Sequence, residues 1–410
     1  MVSPDASEPL ACEGAAVVKR RKPVPLRFWL HSILGLKLSV FLGFVCLTGT
    51  IATVSHEIEW LYKPELRSTA TAGETEWGRM WDSARAAYPD ARLSGIGSFD
   101  RSEASYFVKT VLATDARGED FTIYVDPGSN RVTGHEYGRS FQDFMRGLHY
   151  YLFVPGAIPV YVVCLLGFTL ILSLATGLIA YRRFWRGFFR MPRWHRARRI
   201  WIGDLHRLIG LWSIWFVAII GLTSIWYFLE HAGVDLEKPV PTTAMPATMS
   251  DVVGSQIDGW TAVARSQLPN LAITAIYLPY EPHSPVIVQG QMRAWLVRER
   301  TNAVYIDPAT DRVLGMRTAH QMEVGERIVH TADPLHFGTF GGLVTKLIWV
   351  VWGLLLTTLA ASGAYVYAKR TKLAVESGVR LDFLDYLGHW KWPSVLIITF
   401  VPMLSFFFFW

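Results

Sequence analysis

The side chains with chemistry to offer are the histidines, and six of the twelve fall in matched places. His31 and His56 stand 25 residues apart with an apolar run between them, and so do His206 and His231. Their surroundings match too: Leu30-His31 with Gly35-Leu36 answers Leu205-His206 with Gly210-Leu211. His149 and His336 each follow a leucine and precede an aromatic residue, Tyr150 or Phe337. A neutral imidazole is a good transition-metal ligand, and two imidazoles can take opposite faces of one iron. A lone histidine near a headgroup layer is only a wetted amphipathic residue. Six recurring at equivalent positions ask for a shared role.

The elements that carry them follow from length. A helix rises about 1.5 Å per residue, so 25 residues cover roughly 38 Å, against about 30 Å for a bilayer's hydrocarbon core. Each copy reads as a membrane span with one histidine near each end. The 51% apolar content and mean hydropathy of +0.24 argue against a soluble protein, which would need several fully buried helices of span length. The net charge of +6 does not point to nucleic acid, because the basic residues bunch beside the apolar runs, the pattern of membrane orientation. Cys12, Cys46 and Cys164 form neither a CxxC pair nor a CxxCH site. That leaves a disulfide framework, a thiolate metal site and covalently attached haem without support.

The reading along the chain is a cytoplasmic tail (1–26), span 1 (27–56), a polar domain (57–148), span 2 (149–181), a basic cytoplasmic loop (182–204), span 3 (205–231), a second polar domain (232–335), span 4 (336–368), a cytoplasmic loop (369–391) and span 5 (392–410). No cleavable signal is evident, since the first apolar run starts late and has full span length. The loop after span 2 carries Arg182, Arg183, Arg186, Arg190, Arg193, Arg196, Arg198 and Arg199. They fix that side as cytoplasmic and could hold anionic lipid headgroups. Each polar domain contains a hairpin signal, Tyr124-Val125-Asp126-Pro127 closing at Arg131-Val132-Thr133-Gly134, against Tyr305-Ile306-Asp307-Pro308 closing at Arg312-Val313-Leu314-Gly315. Four landmarks thus recur in one order: span with terminal histidines, Tyr-x-Asp-Pro hairpin, Leu-His, span. This predicts an α-helical membrane protein of about five spans, built as a duplicated two-span repeat, with two periplasmic α+β domains. The halves run the same way and should be related by an axis along the membrane normal.

Under that topology His31 and His206 lie at the cytoplasmic ends of spans, and His149, His336, His56 and His231 at the outer ends. A duplicated bundle can present paired histidines from two helices to a haem. For the outer pair, His149 with His336 is the favoured choice and His56 with His231 the alternative, since Glu57, Glu59 and Glu230 could make a polar rim of the latter. Lys37, Arg207 and Lys346 are candidates for pairing with propionates. Trp212, Trp215, Phe216, Trp349 and Trp352 suit a porphyrin face, an interface belt or plain helix packing. Arg139, Arg146, Arg317 and Arg327 are candidate contacts for an acidic chelate.

These features together resemble the PepSY-associated transmembrane family: Leu30-His31 with Gly35 and Thr48-Gly49, Leu205-His206-Arg207 with Gly210-Leu211, Leu148-His149, Leu335-His336-Phe337-Gly338 with Gly341, and the paired Asp-Pro hairpins. Some members of that family are inner-membrane ferri-siderophore reductases. The resemblance implies two b-type haems, the inner on His31 and His206 and the outer on His149 and His336. It implies a chain that carries electrons across the inner membrane to ferric siderophore in the periplasm. No Gly-x-Gly-x-x-Gly follows a strand, so the donor would be a quinol or a cytoplasmic protein. The competing readings are a non-enzymatic accessory of iron uptake, whose polar domains bind a peptide, siderophore or partner, and a metal transporter. The latter lacks carboxylates or thiolates clustered with the histidines inside the spans.

Overall fold

The computed structural model describes residues 31, 38–70, 75–98, 105–181, 183–244 and 251–372, with side chains to 369. The expected tail, Lys37, most of the loop after residue 372 and the expected span 392–410 lie outside the described residues.

The membrane layer starts with α1 (Ser39–Thr53) and α2 (Ser55–Tyr62), which bend by 55° at Val54 and together have the length and hydropathy of one span. Next come α5 (Ile158–Ala180), the pair α6 (Arg198–Trp212) and α7 (Ile214–His231), and α10 (Gly342–Lys372). Among the described residues three helices, Ile158–Ala180, Ile214–His231 and Thr339–Lys369, are long and apolar enough to cross a membrane, and the bent pair makes up to four. Helix α1 packs on α10 and α5 on α7. Gly167 and Gly221 let α5 and α7 approach closely: a Cβ at Gly167 would lie 2.8 Å from the Gly221 carbonyl oxygen. Phe41, Val45, Leu166, Leu170, Phe216, Val217, Trp349 and Leu356 fill the centre of the bundle.

The extramembrane layer is one eight-stranded antiparallel sheet covered by two helices. Its first half comprises α3 (Trp77–Ala87), β1 (Arg92–Ser98), β2 (Lys109–Thr114), β3 (Asp120–Asp126) and β4 (Arg131–Tyr137). The second comprises α8 (Gly254–Gln267), β5 (Ala272–Tyr277), β6 (Val286–Gln291), β7 (Asn302–Ile306) and β8 (Val313–Arg317). Strand order is β4-β3-β2-β1-β5-β6-β7-β8, so two meanders meet edge to edge at β1 and β5. Alternating apolar residues put Ile96, Val111, Ile123, Ile276, Val288 and Val304 on the face beneath α3 and α8. Trp77, Trp81 and Trp260 fill the gap between helices and sheet. The two helices exchange equivalent bonds: the Gly78 amide donates to Asp258 at 2.9 Å and the Gly254 amide to Asp82 at 2.7 Å. The joining of both polar segments into one sheet was not readable from either segment alone.

The Tyr-x-Asp-Pro hairpins are β3–β4 and β7–β8. Each has a bulge directly after its tyrosine, at Tyr124/Val125 and Tyr305/Ile306. Each turn closes with a left-handed residue, Asn130 (φ 56°) or Asp311 (φ 55°). The aspartate holds its own turn: Asp126 accepts from the Gly128 and Ser129 amides at 3.2 and 3.1 Å, and Asp307 from the Ala309 amide at 3.0 Å.

Two span boundaries differ from the sequence reading. His149 is not on α5 but on a one-turn π-helix, Gly147–Tyr151, which follows α4 (Phe141–Arg146). Leu152 and Phe153, both at positive φ (50° and 51°), turn the chain before α5 begins at Ile158. His336 likewise sits on a separate helix, α9 (Val324–Phe337), which stops at Gly338. Gly338 has φ 68° and lies where a Cβ would stand 2.6 Å from Trp349 Cγ, so both conformation and space require glycine. Apolar pattern marks a span but not the short reversal that precedes it. The continuous third span is also interrupted, at Ser213 between α6 and α7.

Candidate paired-histidine site

Four histidines lie against four different helices. His31 packs on α5, His149 on α1, His206 on α10 and His336 on α7. The backing is the same in kind each time: a hydroxyl residue followed by a small one. The pairs are Thr176-Gly177 behind His31, Thr48-Gly49 behind His149, Ser362-Gly363 behind His206 and Thr223-Ser224 behind His336. The glycines make room for the rings. A Cβ would lie 2.6 Å from His149 Cε1 at Gly49, 3.2 Å from His31 Cε1 at Gly177 and 3.0 Å from His206 Cε1 at Gly363.

The hydrogen bonds decide the tautomer. His31 Nδ1 donates to the Ser173 carbonyl at 3.1 Å and lies 3.3 Å from Thr176 Oγ1. His149 Nδ1 donates to the Val45 carbonyl at 2.9 Å, with Thr48 Oγ1 at 3.5 Å. His206 Nδ1 meets Ser362 Oγ at 3.0 Å. His336 Nδ1 meets Thr223 Oγ1 at 2.8 Å. A carbonyl can only accept, so Nδ1 carries the proton on His31 and His149. The other two follow from the hydroxyls. Thr223 already donates its one hydrogen to the Ile219 carbonyl at 2.8 Å, so it accepts from His336. The other three hydroxyls are committed the same way, Thr48 to Phe44 O (3.0 Å), Thr176 to Leu172 O (2.7 Å) and Ser362 to Leu359 O (3.1 Å). All four rings therefore present Nε2 with its lone pair, the state in which imidazole binds a metal.

The His149 and His336 rings come together, their centres 6.3 Å apart and their planes at 45°. His56 and His231 do not meet in this way. His56 sets its ring edge-on to Phe107 at 6.3 Å. His231 donates from Nδ1 to the Tyr227 carbonyl (2.9 Å) and faces the Tyr150 hydroxyl through Nε2 (2.8 Å), so both of its nitrogens are engaged. Among the described residues no group of three or more His, Cys, Asp or Glu side chains is placed to hold a metal ion.

The His149–His336 pair is tied to the sheet domain through a charged chain that the sequence reading missed. The Tyr227 ring meets the His336 ring at 5.2 Å, and its hydroxyl donates to Asp333 at 2.8 Å. Asp333 pairs with Arg298 at 2.6 and 2.9 Å. Arg298, only 7% exposed, also reaches Glu237 at 3.2 Å and Glu230 at 3.6 Å. One guanidinium in the β6–β7 loop thus gathers carboxylates from α7, the linker after it and α9. Beside it His330 is fully buried and meets the Thr301 hydroxyl at 3.0 Å. Burial first, then the guanidinium groups of Arg317, Arg298 and Arg300, push its imidazole down to about 3.

Other candidates have different work. Lys346 pairs with Glu57 at 2.7 Å, joining α10 to α2 in a buried ion pair. Arg207 pairs with Asp204. Arg317 donates to the Thr301 and Arg300 carbonyls at 2.9 and 3.0 Å, and Arg327 to the Trp295 carbonyl at 2.7 Å, so both are structural in the second half-sheet. Trp215 packs edge-on with Trp349 (5.7 Å) and Trp352 (5.2 Å) between α7 and α10. Trp349 donates to the Leu335 carbonyl at 2.9 Å, one residue before His336.

Comparison with known proteins agrees with the membrane architecture. An uncharacterized protein of Pseudomonas aeruginosa is 27% identical over 266 residues, 58% of this chain and 66% of that protein, so the match spans just under two thirds of the relative's length. The family model for the PepSY-associated TM region matches residues 28–370, most of the chain and every histidine of the four pairs of contacts described above. The protein belongs to the PepSY-associated TM region family.

Proposed function

We propose that the chain is an inner-membrane conduit with two b-type haems, one on His31 and His206 and one on His149 and His336, which reduces ferric siderophore in the periplasm. The observation that carries this reading is the outer pair. Two imidazoles that held one metal ion between them, through bonds of about 2 Å and with a ring half-width of about 1 Å, would have ring centres roughly 6 Å apart. His149 and His336 stand 6.3 Å apart, each with Nδ1 hydrogen-bonded and Nε2 available. The donor set, two neutral imidazoles in an apolar bundle, suits b-type haem. Haem bound there would supply one-electron exchange, with its potential set by axial ligands and burial.

The chain's own residues do the rest. Val45, Thr48, Thr223, Ser173, Thr176 and Ser362 hold the rings in one tautomer and orientation. Gly49, Gly177 and Gly363 leave the rings space. The bundle keeps water from the ring pairs, and the Tyr227–Asp333–Arg298 chain fixes the sheet domain over the outer pair. Reduction of iron(III) to iron(II) weakens its hold on hard oxygen chelators, so delivery of an electron releases the metal. The donor is a quinol or a cytoplasmic protein.

The finer architecture belongs to the same reading: a duplicated two-span repeat, five spans, a cytoplasmic amino terminus and a periplasmic sheet. The matched bulges and turns of β3–β4 and β7–β8, the reciprocal Gly78–Asp258 and Gly254–Asp82 bonds, and the recurrent hydroxyl-small backing support the duplication. The arginines between α5 and α6 support the orientation. Reduced-minus-oxidised visible spectra of the purified chain test the function. A sharp reduced band, lost by about half in His206→Ala and in His336→Ala, is expected. A chain that never carries haem fits the accessory reading and ends this one.

A further inference from the structure

The loop between α5 and α6 carries a cavity that the paired histidines do not use. Its volume is about 130 Å³, and Tyr181, Gly187, Arg190, Arg193, Arg207 and Leu211 are among the residues that line it. It opens where the apolar α5 ends and α6 begins, at the edge of the membrane layer. The wall facing the bundle is apolar, through Leu208 and Leu211, and the mouth carries three guanidinium groups. Among the described residues one acid serves them. Asp204, 9% exposed, is gripped by Arg193 from Nε (2.8 Å), Nη2 (3.1 Å) and the backbone amide (3.2 Å), and is paired with Arg207 as well. From residue 181 to residue 203 the sequence contains no aspartate or glutamate. Among the described residues no carboxylate pairs with the Arg190 side chain, and with three guanidinium groups and one carboxylate the cavity lining is net positive.

The surface around it settles what kind of anion fits. Trp185, Phe189, Met191 and Trp194 are 59%, 93%, 67% and 57% exposed, interleaved with Arg183, Arg186, Arg190 and Arg196. Large apolar side chains turned outward between arginines are unfavourable in water and at home in a headgroup layer, where rings and acyl chains meet and guanidinium groups meet phosphate. Trp212 donates to the Phe188 carbonyl at 2.9 Å and pins the loop to α6. We propose that this cavity binds the phosphate of an anionic phospholipid, with Arg190, Arg193 and Arg207 around the phosphate and the glycerol and acyl part along Leu208, Leu211 and the exposed aromatic side chains. The site lies beside His206 in sequence, but the inference does not depend on haem.

Native mass spectrometry of the full chain in neutral detergent tests it, with phosphatidylglycerol, phosphatidylcholine and inorganic phosphate added separately. The expected result is retention of phosphatidylglycerol and not of phosphatidylcholine, weakened roughly fivefold in Arg190→Gln and further in Arg190→Gln with Arg193→Gln. Arg190 is exposed and, among the described residues, its side chain makes no hydrogen bond or ion pair, so the single variant should fold as the parent does. Replacement of Phe189 and Trp194 by serine should also weaken phosphatidylglycerol. Equal retention of both lipids, unchanged binding in Arg190→Gln, or inorganic phosphate displacing the lipid at equal concentration would overturn the proposal; the last outcome would leave a simple phosphate site.

Discussion

Thr223→Val probes the outer pair with almost no change of shape. In the parent, Thr223 accepts from His336 Nδ1 at 2.8 Å and is the acceptor found for that ring. Valine fills the same volume and removes the acceptor. A buried donor left without a partner costs about 1–3 kcal/mol, and loss of an outer hydrogen bond to a metal-ligating histidine costs roughly 10–100-fold in affinity; at about 1.4 kcal/mol per tenfold the two estimates agree. The outer haem should therefore bind roughly 10–100-fold more weakly, and its midpoint potential should move while the inner one stays. Thr48→Val should do much less, because His149 keeps the Val45 carbonyl at 2.9 Å and Thr48 stands farther off at 3.5 Å. Thr223→Ser should restore the parent. Haem titration of the apo form, read by reduced absorbance and by redox potentiometry, measures all three. Equal effects of Thr48→Val and Thr223→Val, or no effect of Thr223→Val on either readout, would refute the role given to Nδ1.

Gly49→Ala should push the His149 ring aside, since its Cβ would lie 2.6 Å from Cε1, and should lower outer haem occupancy about as His149→Ala does. Arg298→Met should leave Asp333, Glu237 and Glu230 without their shared cation and destabilise the second half-sheet by about 3–5 kcal/mol, seen as a lower midpoint in thermal unfolding. His330 gives a pH prediction. Its imidazole is held at about 3 when folded and returns to about 6.5 when unfolded. The unfolded chain then binds a proton that the folded one refuses, so stability should fall as pH drops from about 6.5 towards 3, by at most about 1.4 kcal/mol per pH unit. His330→Gln should flatten that slope, measured by denaturant unfolding across the window. Reporter fusions at Gly187 and Gly259 should report opposite sides of the membrane, and the same side for both would contradict the topology.

The histidines were legible because their spacing and flanking leucines recur, and recurrence survives without any knowledge of packing. The hairpins were legible for the same reason: Asp-Pro turns close through the aspartate's own bonds, which are local. What holds the histidines was not. Thr176, Thr223 and Ser362 look like ordinary hydroxyl residues of apolar helices, each bonded to its own i−4 or i−3 carbonyl. Their value lies in the second lone pair, offered to a ring more than a hundred residues away. A signal existed nonetheless, since a hydroxyl residue followed by a glycine or serine occurs on α1, α5, α7 and α10 at each point of contact. The edge pairing of β1 with β5 joins segments about 180 residues apart, and nothing local in Arg92–Ser98 names its partner. Likewise, hydropathy marks α5 and α10, while the π-turn that carries His149 and the Gly338 stop after His336 depend on backbone geometry.

The central claim is that the two histidine pairs hold two separate haems, and it is tested most directly by haem content and spectrum in the single-histidine variants. The parent should carry two haems per chain with a bis-histidine spectrum. His206→Ala should lose the inner haem and keep the outer, His336→Ala should do the reverse, and each should abolish reduction of an external ferric chelate. His231→Ala should keep both, because its ring is already bonded to Tyr150 and Tyr227. Haem content that no single histidine change alters, or a purified parent with no haem, would contradict the account.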